Sequence, residues 1–275
     1  LGVGPLLRFT KEAIPVWLQN GQVSFTKVRE AAYQFVTELV SRYRRKVNRW
    51  FVVSGLNAFN HFGLNVEQVL EMTRAANMAV KSVNSRAFRL IEVTNLWGEY
   101  YATTPNSIAP VAYMDMVVQS GITFDAFALQ MRFGKNQSGM HIRDMMQISS
   151  LLDYFSMMGK PLYVTGIEVP SQNGTGAADG RVAGVWHKEW DTKRQALWLD
   201  QFHGIALSKP CVDAVVYGCL ADSEDSVVPN SGLLTGELEH MDSLRILRRL
   251  RVANHNPLEC AACCWRLMSQ MGPFG

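Results

Sequence analysis

Short β-branched runs alternate with longer runs of helical period along almost the whole chain, and this alternation constrains the fold more than any other feature of the sequence. Segments from Val3 to Phe9, Trp50 to Val53, Phe88 to Asn95, Phe124 to Met131, Leu162 to Val169 and Asp213 to Leu220 read as strands. Between them lie helical stretches. Val23 to Tyr43 carries a stripe of Val28, Ala31, Ala32, Phe35, Leu39 and Val40, and Asn65 to Val83 one of Val66, Val69, Leu70 and Met78. Ile108 to Gln119 is followed by Gly121 at the position that ends a helix. His141 to Met158 turns Ile142, Met145, Ile148, Leu152 and Phe155 inward, and its methionines are core filler. Asp191 caps a helix through Leu207, and Asp242 to Val252 is the last long helix.

Strands separated by helices must run parallel, because only a crossover of that length returns the chain to the same end of a sheet. The expectation is therefore an α/β chain of the (β/α)8 TIM-barrel class, to which it supplies about the last six strand–helix units. The barrel is expected over residues 1–252 and a C-terminal tail over 253–275. A closed barrel needs eight units, and a six-strand remnant would expose two sheet edges. The missing strands are expected from a segment upstream of Leu1 or from another polypeptide. The chain begins at Leu1 without an initiator Met or a signal-like start, which fits a piece of a longer precursor and gives no localisation.

Charge and cysteine content narrow the function. The 27 basic and 24 acidic residues leave a net charge of +3, which makes no electrostatic case for nucleic acid or an anionic membrane surface. No run approaches the length of a membrane span. The five cysteines include Cys260, Cys263 and Cys264, which read either as a metal or redox cluster or as ordinary thiols of a C-terminal helix. No second cysteine pair or histidine stands at zinc spacing, so the expectation is no metal and no cofactor.

Several segments resemble glycoside hydrolase family 10, the endo-β-1,4-xylanase-like barrels, in order and spacing. Gly4-Pro-Leu-Leu-Arg-Phe9 followed by Ile14-Pro-Val-Trp-Leu18 resembles that family's third strand and its Pro-x-Trp-Leu turn. Arg42-Tyr-Arg-Arg-Lys46 and then Trp50-Phe-Val-Val-Ser-Gly55 resemble the approach to strand four, where the family reads Trp-Asp-Val-Val-Asn-Glu. Phe124-Asp-Ala-Phe-Ala-Leu-Gln130 resembles strand six. Gly159-Lys-Pro161 with Val164-Thr-Gly-Ile-Glu168 resembles strand seven, where the family reads Thr-Glu-Leu-Asp. Ser231-Gly-Leu-Leu234 with Leu244 resembles the end of the family domain. The likeness spans roughly residues 4–250, and no single motif is intact.

Retaining glycosidases need two carboxyls ~5–5.5 Å apart, one a general acid/base and one a nucleophile. The resemblance puts these at Gly55 and Gly166, which offer neither a proton donor nor a nucleophile. It also makes Ser54 of the asparagine before the acid/base, Arg132 of a strand-six histidine and Tyr217 of a strand-eight tryptophan, while Gln130 keeps its identity. The first reading is a catalytically degenerate xylanase-like barrel that binds a β-linked glycan through Ser54, Asn57, Trp97, Tyr100, Gln130, Arg132 and Tyr217. The second is an active hydrolase with relocated carboxylates such as Glu168, with Glu92, Glu99 and Asp222 as further strand-end acids. The third is a structural or interaction scaffold. Tyr101, Trp186 and Trp190 read either as sugar-stacking rings or as loop anchors, and His61 as a ligand-orienting or a structural loop residue.

Overall fold

The computed structural model describes residues 2–19, 23–173, 183–224 and 226–253. The chain divides into two compact units, Leu1–Leu129 and Gln130–Gly275, with the division falling inside the fourth strand. The Cys260, Cys263 and Cys264 cluster lies outside the described residues, as do the tail beyond Ala253 and most of the loop expected over 171–184.

In the first unit, β1 (Gly2–Val3), β2 (Arg49–Ser54), β3 (Phe88–Val93) and β4 (Ala126–Arg132) pair in parallel in chain order. The expected strand over Val3 to Phe9 is only two residues long, with one further bridge from Leu7 to Val53. Between the strands run α1 (Val16–Gln19), α2 (Phe25–Tyr43), α3 (Val66–Val83) and α4 (Pro110–Gln119). The second unit continues the pattern with α5 (Met145–Ser156), β5 (Leu162–Glu168), α6 (Thr192–Ser208), β6 (Val212–Tyr217) and α7 (Asp242–Ala253). β5 and β6 pair in parallel, and the strand order in the sheet is β1-β2-β3-β4-β5-β6. This is the βα alternation of a TIM barrel, six strands of it among the described residues.

Helices α2, α3, α5 and α6 start where a short polar side chain takes up an unpaired N–H, whereas α4 starts on Pro110 after Ala109 without a side-chain cap. Asn65 accepts from Gln68 N and Asp144 from Gln147 N, both as reciprocal capping boxes. Asp191 accepts from Arg194 N at 2.6 Å. The Asp144 box also corrects the expected start of α5 from His141 to Met145, because a cap fixes the first turn more firmly than an apolar residue upstream of it.

The buried helix faces differ from the expected stripes in α2 and α3, and in α5 Met146, with Met157 just after it, is exposed rather than core filler. α2 buries Val28, Ala32, Val36 and Val40, a strict i,i+4 row, while Phe35 is 51 % exposed. One residue of offset is a rotation of ~100°, enough to swing Phe35 out. α3 buries Val69, Met72, Thr73, Ala76, Asn77, Ala79 and Val80, and leaves Val66 and Met78 exposed. Its inner face holds small and polar groups: Asn77 Nδ2 donates to Thr73 O at 2.9 Å and Thr73 shares a 2.9 Å bond with the Tyr113 hydroxyl, while Asn77 Oδ1 is buried without a partner among the described residues. Among the described residues no helix is long and apolar enough to cross a membrane.

Candidate functional site

Nearly every singled-out side chain lies on the last residues of a strand or just beyond one. Ser54 closes β2, Glu92 stands one residue before the end of β3, Arg132 closes β4, Glu168 closes β5 and Tyr217 closes β6. These are the C-terminal ends of parallel strands, where TIM barrels carry their sites.

In the first unit the strand ends are laced together by backbone and side chain. Gly55 N donates to Glu92 O at 2.9 Å, and the buried Ser54 hydroxyl donates to Glu92 Oε2 at 2.5 Å. Gly55 takes φ +66°, a left-handed conformation that glycine adopts at little cost. Ala58 N and Phe59 N both donate back to Gly55 O, at 3.0 and 2.8 Å, closing a tight turn. The turn lays the Phe59 ring over Gly55. A Cβ at position 55 would stand 2.6 and 2.9 Å from two Phe59 ring carbons and 2.8 Å from Thr94 Oγ1. The Arg8 guanidinium lies 4.7 Å from the centre of the same ring. Phe59 therefore fills the space a side chain at position 55 would enter.

Asn57 is fully buried and committed to its neighbours. Its amide donates to Thr94 O at 2.8 Å and to the Tyr100 hydroxyl at 2.7 Å, and its Oδ1 accepts from Thr94 N at 3.3 Å. Tyr100 in turn donates to Ile108 O at 2.5 Å, and burial pushes its hydroxyl pKa up to about 12. Asn57 and Tyr100 tie the loop after β2 to the loop after β3, while Trp97 is half-buried and Tyr101 exposed. His61 is exposed, its ring edge-on to Phe62.

In the second unit a charged pair takes the centre. Arg132 Nε donates to Glu168 Oε1 at 3.0 Å, and Nη1 donates to Gln130 Oε1 at 3.3 Å. Glu168 Oε2 accepts from Val228 N at 3.2 Å, so both oxygens of this buried carboxylate have partners. The carboxylate packs tightly over Gly218, where a Cβ would meet Oε1 at 2.5 Å. Gly166 takes φ +58° where the β5–β6 register shifts, and a Cβ there would stand 3.3 Å from Gln130 Cγ and 3.7 Å from Arg132 Nε. The Tyr217 hydroxyl donates to Ser231 O at 2.6 Å; burial, with the nearby Glu168 charge adding to it, holds its pKa well above the usual value.

Trp186 and Trp190 are buried, and the Trp190 indole N–H donates to Gly184 O at 3.3 Å, which makes them loop anchors. Asp222 Oδ1 accepts from Gly232 N at 2.7 Å. Among the described residues no group of three or more His, Cys, Asp or Glu side chains is arranged to hold a metal ion. Sequence reasoning missed Phe59, which no charge or motif singles out. It named Arg132 and Glu168 without pairing them, although opposite charges at the ends of two strands were a usable signal.

No protein-family model matches the chain, and no curated protein matches it in sequence. Solved structures do match in fold. Native xylanase 10B from Thermotoga maritima is 15 % identical and superposes with a TM-score of 0.65, over 91 % of this chain and 74 % of that one. The family 10 glycoside hydrolase of Paenibacillus barcinonensis is 15 % identical, with a TM-score of 0.62 over 91 % of this chain and 76 % of that one. A psychrophilic family 10 endo-β-1,4-xylanase is 14 % identical, with a TM-score of 0.62 over 86 % and 73 %. The chain has the fold of part of a TIM barrel of the kind found in family 10 xylanases.

Proposed function

We propose that the protein is a catalytically degenerate xylanase-like barrel that binds a β-linked glycan at its strand ends without hydrolysing it. The observation that carries this reading is the Phe59 ring over Gly55. At the position the resemblance assigns to the acid/base, the carboxyl is lost and its space is refilled by an apolar ring. Reoccupied space speaks for a settled departure from the chemistry rather than for one missing side chain. Glu168, the strongest relocated acid, has both oxygens bound to protein donors, which speaks against a free nucleophile.

The glycan half of the proposal rests on the fold and on side chains that keep part of their surface open. In the second unit Gln130 and Arg132 are half-buried and take ligand-contacting roles; in the first unit Trp97 is half-buried and offers its own exposed ring surface. Ser54, Asn57 and Tyr100 are buried and hold together the loops after β2 and β3 of the first unit. Tyr217 is half-buried with its hydroxyl spent on Ser231, and offers a ring face. The test is calorimetric titration with xylo-oligosaccharides, followed by chromatography of the same samples. Saturable binding with the oligosaccharide recovered intact supports the proposal. Shortened products that disappear in Glu168→Gln would replace it with the relocated-carboxylate enzyme, and no binding of any β-glycan would leave the scaffold reading.

A further inference from the structure

We propose that Arg132 receives a carboxylate, so that the glycan is an acidic one carrying a uronic acid; the inference rests on the glycan-binding reading above. A guanidinium has five N–H donors and no acceptor. Nε gives one to Glu168 and Nη1 gives one to Gln130. Among the described residues nothing takes the two protons of Nη2 or the second proton of Nη1. The side chain is 18 % exposed, so this donor edge can be reached from solvent.

Two features hold this donor edge ready. Glu168 and Gln130 grip the guanidinium from different nitrogens, which fixes its plane and lowers the ordering cost of a further partner. Gly166 keeps the near side bare, since a Cβ there would stand 3.7 Å from Nε and 3.9 Å from Nη2 and begin to cover it. Glu168 spends only one oxygen on Arg132 and turns the other to Val228 N, so the outer Nη1–Nη2 fork is left to the ligand. A planar carboxylate meets that fork with two charge-assisted bonds, whereas a sugar hydroxyl meets it with one weaker bond.

The experiment titrates the protein with xylotetraose bearing one glucuronic acid branch, and separately with the same oligosaccharide after reduction of its carboxyl to an alcohol. The expected result is binding of the acidic form at least ~10-fold tighter, the scale of a charged hydrogen bond. A second arm uses the double variant Arg132→Gln, Glu168→Gln, which removes both charges together and strands neither; there the preference is expected to vanish. Equal binding of the two ligands by the unaltered protein overturns the inference and leaves the glycan reading standing. Binding of neither overturns both. A preference undiminished in the double variant assigns the carboxylate to another group and also overturns the inference.

Discussion

Gly55 and Gly166 both take left-handed backbone near a strand end, in different surroundings. Gly55 is enclosed: Phe59 and Thr94 fill the space where its Cβ would stand, and its φ is left-handed. Gly55→Ala is expected to cost about 1–3 kcal/mol from overpacking, with a further 1–2 kcal/mol from the strained backbone, read as a lower urea midpoint. An unchanged midpoint would show that Phe59 moves freely and that the space is not truly filled. Arg132 and Glu168 form the other centre. Arg132→Met alone leaves a buried carboxylate unpaired and is expected to cost about 3–5 kcal/mol. Adding Glu168→Met should recover most of that loss, and a double-mutant cycle on urea midpoints measures the difference. That Gly55 and Gly166 stand near the C-terminal ends of β2 and β5 was legible in the sequence from the order of the surrounding segments. Phe59 was not, because only the turn in which Ala58 and Phe59 both bond Gly55 O brings that ring back.

At the scale of the elements, helix ends were read well and helix faces less so. Caps such as Asn65 and Asp191 act within one turn, so their signal is local, whereas the Asp144 cap was missed and α5 was started at His141. A face depends on what packs against it: α2 turns Phe35 outward, and α3 buries Met72 but leaves Met78 exposed. The correction is testable: Val36→Ala should cost about 2 kcal/mol, whereas Phe35→Ala should stay within ~0.5 kcal/mol. The reverse order would restore the face read from hydrophobicity. α6 carries a pH dependence of its own. His203 is buried, its Nδ1–H donates to Leu199 O at 2.7 Å, and burial lowers its pKa to about 4. The unfolded chain binds a proton there near pH 6.5 and the folded chain does not until about pH 4, so the unfolded state holds more protons between them. This contribution is complete above pH 6.5 and is lost as pH falls toward 4, by ~3 kcal/mol. His203→Gln should flatten that part of the stability profile, and an unaltered slope would assign it to other groups.

For the whole molecule, the alternation of strands and helices was enough to read a partial TIM barrel, because parallel strands in chain order leave few other arrangements. The likeness to family 10 xylanases at 14–15 % identity supports that fold and passes on no chemistry by itself. What this chain does has to follow from its own strand ends, where an aromatic ring and an arginine–glutamate pair stand beside the two glycines. General acid–base help is worth ~10²–10⁴-fold, and a nucleophile opens a separate covalent route; the proposed reading is that neither operates here. The most direct measurement is release of phenol from an aryl β-xylobioside incubated with the protein, followed for many hours beside a protein-free blank. The expected rate is indistinguishable from the blank, also for a Gly55→Glu, Gly166→Glu variant, since Phe59 still occupies the first position. Steady release that is abolished by Glu168→Gln would contradict it and show an enzyme working with a relocated carboxylate.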